Sequence, residues 1–161
     1  MSNQRSPIVR VNAIPYAANY NWSVGIPMEK FIQAFAEKKL LASKCPKCGY
    51  TYAPPRNRCG RCTEPIGEKD VLELSGKATL VSYTAAHVQL DGAGNWKDLE
   101  RPAVIAAIKL DGADSLVFLP LEKAAAKDLK PGQPVEMVWA DETTGKIADL
   151  KGCKLKKAAG K

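Results

Sequence analysis

The stretch KCPKCGYTYAPPRNRCGRC, residues 44–62, carries four of the chain's five cysteines as two Cys-x-x-Cys pairs. Tetrahedral zinc takes four nitrogen or sulfur ligands, and a Cys-x-x-Cys turn offers two thiolates on one tight bend. In CPKCG, Pro46 fixes the start of the bend, and Gly49 lets the backbone turn its amides toward the sulfurs. CGRC is the matching second bend. The ten residues between the pairs, stiffened by Ala53, Pro54 and Pro55, suffice for a hairpin that brings both bends together. The spacing predicts a four-cysteine metal site made by Cys45, Cys48, Cys59 and Cys62. Zinc is expected over iron, because it suits a structural all-thiolate site and needs no redox partner. A thioredoxin-like redox pair would need one such motif in a βαβ setting, which is missing. Four thiolates leave no open coordination position to activate water, so the metal is read as structural.

One zinc with four thiolates adds two negative charges to its surroundings. Lys44, Lys47, Arg56, Arg58 and Arg61 more than offset them. Either these cations only compensate the thiolates, or they bind an anion such as a nucleotide phosphate or an acidic partner patch.

Upstream, PMEKFIQAFAEKKLL (27–41) reads as a helix. Pro27 suits the first turn, Glu29 lies near the positive end, and Lys38 and Lys39 lie near the negative end. Met28, Phe31, Ile32, Phe35 and Leu40 make one apolar face, which needs a larger body to cover it: the rest of the chain or another subunit. Residues 1–26 lack periodicity but hold Tyr16, Tyr20 and Trp22, which either pack on the chain's own core or anchor a partner. Tyr16, Tyr20, Trp22, Phe31 and Phe35 are the candidate partner-contact residues.

Downstream the pattern changes to strands. KATLVSYTAAHV (77–88), PAVIAAIKL (102–110), SLVFLPL (115–121), PVEMVWA (134–140) and GKIADL (145–150) are short apolar or alternating runs between turn-rich segments. EKAAAKDL (122–129) reads as one short helix, and 89–101 as a long loop. Five or six short strands with one helical insertion suggest a small OB-type barrel. The expected class is mainly β. The expected organisation is an N-terminal arm (1–26), a helix plus zinc ribbon (27–68), an OB-fold barrel (69–150) and a basic tail (151–161).

No run of about 18 apolar residues is present, so a membrane helix is not expected. The first residues lack the apolar core of a secretory signal, which makes a cytoplasmic location, with reduced thiols, the expectation. The net charge of +7 is unevenly spread. Residues 1–69 hold 11 basic against 4 acidic side chains, whereas 70–150 hold 8 against 13. An OB fold that grips single strands needs a positive, aromatic-lined groove. The acidic barrel region therefore argues against nucleic acid, though a ribbon-and-barrel binding module stays as an alternative. Outside the metal site the chain has one cysteine, Cys153, and one histidine, His87. Cys153 is read as a bystander thiol near a frayed tail, although the lysines around it would lower its pKa; His87 is read as structural or interfacial. With no base set against a nucleophile, the chain is not expected to catalyse a reaction alone.

The order of parts is specific: KKLLASKCPKCGYTYAPPRNRCGRC (38–62), GKATLVSYTAAHV (76–88), RPAVIAAIKLDG (101–112) and LKPGQPVEMVWADE (129–142). Over roughly 27–150 this resembles the family of zinc-ribbon plus OB-fold proteins found beside thiolase-superfamily enzymes and catalogued as a domain of unknown function. The resemblance implies a rubredoxin-like zinc ribbon fused to an OB barrel, with Cys45, Cys48, Cys59 and Cys62 as metal ligands. It also implies an accessory subunit in a hetero-oligomer with a thiolase-type catalytic subunit acting on acyl-CoA. The alternative is a companion of an acyl-CoA hydratase or aldolase. Members of this kind serve acyl-CoA synthesis and breakdown, steroid side-chain removal and aromatic acyl-CoA chemistry. Coenzyme A would reach the chain through that complex. Arg56, Arg58 and Arg61 on the ribbon, with Trp96 and Arg101, are the candidate CoA-phosphate contacts. Trp96 would stack on adenine, cover an acyl group or pack at a subunit interface.

Overall fold

A computed structural model describes residues 23–156, apart from Gly92 and Lys123. Tyr16, Tyr20 and Trp22 lie outside the described residues. Helix α1 (Ile26–Gln33) has Pro27 and Glu29 in its first turn and continues as a 3-10 turn, Ala34–Glu37. Lys38 then adopts a left-handed conformation, φ 56°, and its N–H bonds back to Phe35 O. The helix expected over 27–41 thus stops four residues early, without the glycine that usually permits such a cap. Leu40 and Leu41 belong instead to strand β1 (Leu40–Lys44).

β1 pairs antiparallel with β2 (Thr51–Tyr52) on one side and β3 (Val71–Leu74) on the other. The rest is a five-stranded antiparallel sheet of β4 (Ala78–Leu90), β5 (Trp96–Leu110), β6 (Leu116–Pro120), β7 (Pro134–Trp139) and β8 (Leu150–Leu155), in the order β6-β5-β4-β7-β8. Among the described residues the two edges meet at a parallel bridge, Leu121 with Cys153, so the sheet curls into a partly open, OB-like barrel. Gly152 makes that meeting possible: a Cβ there would lie 2.4 Å from Pro120 O.

Three further expectations need correcting. EKAAAKDL holds only a 3-10 turn, Ala126–Asp128. GKIADL is a 3-10 turn, Ile147–Asp149, and the strand begins at Leu150 and runs to Leu155, into the stretch assigned to a basic tail. The loop expected over 89–101 is mostly strand. β4 and β5 form one long hairpin, with Leu90 opposite Trp96. Its turn is held by Asp91, whose Oδ1 accepts the N–H groups of Ala93 and Asn95 at 2.8 and 2.9 Å. Between Ala86↔Ala103 and Val88↔Asp98 a bulge sets Leu99–Pro102 against His87 alone. Pro102 has no N–H to give a ladder, which suits a bulge.

One apolar core joins Phe31, Phe35, Leu40, Ala42 and Ala53 to Leu74, Leu80, Val104, Ile108, Leu129, Val135 and Cys153. Phe35 is 2% exposed and sits edge-on between Phe31 and Trp139, at centroid separations of 4.8 and 5.3 Å. The body that covers the helix face is therefore the chain's own barrel. Phe31 and Phe35 are core residues.

The β5–β6 turn fastens ribbon to barrel. Asp114 Oδ2 accepts Thr51 N–H and Asp114 N–H donates to Thr51 O, both at 2.9 Å. Ser115 Oγ accepts from Ala53 N and donates to Ala53 O, at 2.8 and 2.9 Å. No helix among the described residues is long and apolar enough to cross a membrane.

Candidate metal centre and its surroundings

The two Cys-x-x-Cys bends are near copies. Gly49 N–H bonds to Cys45 O, and Thr63 N–H to Cys59 O, at 2.9 and 3.0 Å. Cys45 N–H reaches Tyr50 O and Cys59 N–H reaches Glu64 O, both at 2.9 Å. The residue after each second cysteine is left-handed, Gly49 at φ 74° and Thr63 at φ 59°. Glycine announces this in the first bend; threonine hides it in the second. Amides turn inward as expected: Cys48 N–H faces Cys45 Sγ at 3.5 Å, and Arg61 N–H faces Cys59 Sγ at 3.4 Å.

All four sulfurs lie within 4.8 Å of one another, with Cys45–Cys62 at 3.5 Å and Cys48–Cys59 at 3.6 Å. A tetrahedron with zinc–sulfur bonds of about 2.3 Å separates its sulfurs by roughly 3.8 Å. The donor set and its spacing fit, and the four cysteines are positioned to bind one zinc ion. Zinc so held supplies a rigid cross-link. Cys45 and Cys59 are buried, Cys62 is half-buried and Cys48 is exposed.

Around the cysteines lies a small apolar cluster of Tyr52, Ile66 and Tyr50, separate from the main core. The Tyr52 hydroxyl sits 3.4 Å from Cys59 Sγ and accepts Gly60 N–H at 2.9 Å. That hydroxyl chiefly pulls the Cys59 thiol down to about 6 in the metal-free chain, against the opposing effect of burial. Sequence reasoning missed Tyr52, because only the hairpin brings it beside a cysteine seven residues away.

The ribbon arginines are each engaged locally. Arg56 lies over the Tyr52 ring and Arg61 over the Tyr50 ring, at 5.3 and 5.2 Å, and Arg58 Nη1 donates to Thr63 O at 2.6 Å. A cleft of about 230 Å³ beside Arg56 is lined by Ile26, Pro27, Lys30, Ile66 and Val71, among others, with neither Trp96 nor Arg101. Those two lie apart on β5, Trp96 at the hairpin tip and Arg101 in the bulge. The five candidate CoA contacts are therefore not gathered into one pocket. Cys153 is no bystander in a frayed tail. It is fully buried in β8, and burial, with the Glu122 charge, pushes its thiol up to about 11, opposite to the expected lysine effect. His87 is exposed on β4. Every buried side-chain nitrogen and oxygen among the described residues has a hydrogen-bond partner.

Besides Ile26 at the start of α1, which is 60% exposed, the apolar side chains left most uncovered lie on the barrel. Trp96 is 72% exposed, Leu90 opposite it 57%, and Phe118 on edge strand β6 69%.

Comparison with known proteins agrees with this architecture. Residues 33–65 match the rubredoxin-like zinc ribbon domain of ChsH2, and 72–140 match its C-terminal OB-fold domain. A DUF35 domain-containing scaffold protein of Methanocaldococcus jannaschii is 35% identical over 74 residues, 45% of this chain. The chain spans about half, 48%, of that relative's length. A crystal structure of a DUF35-family protein of unknown function from Sulfolobus solfataricus superposes with a TM-score of 0.59 at 25% identity, covering 83% of this chain and 85% of that one. The Ltp2-ChsH2(DUF35) aldolase structure superposes with a TM-score of 0.57 at 21% identity, covering 83% and 96%. That last likeness is one of fold.

Proposed function

Given that this chain belongs to the DUF35/ChsH2-type family of zinc-ribbon plus OB-fold proteins, we propose that it is a non-catalytic accessory subunit of an acyl-CoA enzyme. It would scaffold a thiolase-superfamily catalytic subunit in a cytoplasmic hetero-oligomer. The observation that carries this reading is the exposed apolar hairpin and edge strand, with Trp96, Leu90 and Phe118 uncovered on a chain whose own core is already complete. Large exposed aromatic and aliphatic side chains, such as Trp96 and Leu90 opposite one another at the hairpin tip, mark association surfaces. A relative named as a scaffold protein supports the non-catalytic part. So does the chemistry: the metal set is closed and the remaining thiol is buried. A partner of aldolase type is the second reading, favoured by the structural neighbour described as an aldolase. Contact with CoA would fall to Trp96 and Arg101 on the hairpin and to the ribbon arginines, each from its own side of a shared channel. The acidic barrel weighs against nucleic acid as partner.

The test is native mass spectrometry of the tagged chain purified gently from its own cells. A thiolase-sized partner with a mass increment for one zinc is the expected result. Trp96→Ala should weaken that complex about tenfold or more, as truncation of an interface tryptophan does. A lone chain, or one carrying nucleic acid, would refute the proposal.

A further inference from the structure

We infer that Tyr52 is a positioning residue for the metal, its hydroxyl donating a hydrogen bond to the Cys59 thiolate and holding the second bend in its liganding shape. This rests on the zinc reading of the four cysteines and concerns a residue outside that set. The donor assignment follows from the two contacts the oxygen makes. Gly60 N–H points at Tyr52 Oη at 2.9 Å and so occupies an acceptor site. The hydroxyl proton is left for Cys59 Sγ at 3.4 Å, and a metal-bound thiolate can only accept. One phenol thereby bridges the sulfur of Cys59 and the backbone of the next residue.

The side chain is well placed to act as a fixed strut. Tyr52 is buried, lies on β2 where it pairs with Ser43, and carries the Arg56 guanidinium over its ring. A cation there withdraws electron density from the ring and strengthens the hydroxyl as a donor. The result is an uneven cage. Cys59 accepts from both Tyr52 and Arg61 N–H, whereas Cys45 accepts from Cys48 N–H alone. Groups that hydrogen-bond to metal ligands hold them in orientation and tune the metal, and their loss typically costs 10–100-fold in affinity.

The experiment uses the full chain loaded with zinc or with cobalt(II), as wild type, Tyr52→Phe and Tyr50→Phe. Tyr50 is the control, since its ring stacks 4.7 Å from that of Tyr52. With zinc, Tyr52→Phe should surrender metal to a chromogenic chelator about tenfold faster, and Tyr50→Phe at the wild-type rate. With cobalt, losing a hydrogen bond to sulfur makes the thiolate a stronger electron donor, so the sulfur-to-metal charge-transfer band should move to lower energy in Tyr52→Phe only. Faster release with an unmoved band would mean mere packing and would overturn the inference, as would a wild-type release rate. Should Tyr52→Phe fold poorly, 3-fluorotyrosine incorporated in the Tyr50→Phe background keeps the side chain and strengthens its donation. The band should then move to higher energy, and an unmoved band again overturns the inference.

Discussion

Replacing Phe35 by alanine tests whether the N-terminal helix belongs to the barrel or to a partner. Phe35 is 2% exposed and meets Phe31 and Trp139 edge-on. Removing a buried phenylalanine costs about 3–5 kcal/mol. Each lost aromatic contact accounts for roughly 0.5–1.5 kcal/mol beyond its buried area. Phe31 and Trp139 cannot close over the gap without shifting α1 and its 3-10 turn toward the barrel, which places the cost near the upper end, about 4 kcal/mol. At roughly 2–4 °C per kcal/mol for a chain of this size, the melting temperature should fall by on the order of 10 °C. Urea titration followed by circular dichroism and tryptophan fluorescence reads the loss. Zinc content should survive under native conditions, because the cysteine cluster is separate from the core around Phe35. Destabilisation below about 1 kcal/mol would refute the burial and return Phe31 and Phe35 to the partner interface.

Three other perturbations probe other joints. Gly152→Ala would drive a methyl group to 2.4 Å from Pro120 O, so β6 and β8 must part, with an expected loss of about 1–3 kcal/mol; a melting temperature equal to wild type would show that the barrel seam is looser than described. Cys45→Ser should lose the metal, loosen the ribbon and weaken partner binding while the barrel's circular dichroism persists; full zinc content and unchanged assembly would contradict the scaffold role. Asp149 Oδ2 accepts the N–H groups of Thr144, Gly145 and Lys146 at 2.8, 2.7 and 2.9 Å. The Lys146 N–H chiefly holds its carboxyl below the usual range, against the opposing effect of burial. A depressed folded pKa adds stability that is present above the unfolded value of about 3.9 and lost as pH falls through the folded one. Asp149→Asn should therefore be less stable than wild type at pH 7, the gap closing as both are titrated into acid. A gap that does not depend on pH would exclude the carboxylate as its source.

What the sequence reveals depends on how local the cause is. The metal set is legible because two bends of four residues each carry their own chemistry, and the spacing between them leaves little choice. The strands are legible where alternation is strong, as in 78–88 and 102–110. The end of α1 is not, because the left-handed cap falls on Lys38, which continues a helical pattern as well as any residue. The distal hairpin is hidden by a glycine-rich turn and by Pro102, both of which read as loop; pairing of β4 with β5 overrides them, with the bulge absorbing the proline. The fate of Phe31 and Phe35 turns on Trp139, more than a hundred residues away, and an apolar helix face looks the same whether a barrel or a partner covers it. Strand β8 is obscured by Gly152, a poor strand residue chosen for the close approach of Pro120. Tyr52 needed the hairpin itself: tyrosine seven residues before a cysteine says nothing until β2 aims the hydroxyl at the sulfur.

The fastening of ribbon to barrel has a consequence for biosynthesis. The two bends, with the hydrogen bonds and the apolar cluster around them, close within residues 45–66. Their attachment requires Asp114 and Ser115, whose partners Thr51 and Ala53 lie 63 and 62 residues earlier. On the ribosome the thiolates emerge well before β5 and β6 exist, so zinc can be captured by a nascent chain that has no barrel yet. The barrel then closes against a finished, metal-stiffened hairpin whose Thr51 and Ala53 backbone groups are already laid out as a template. Zinc shortage during translation would thus mark the protein at its birth, whereas zinc shortage afterwards meets a ribbon already anchored.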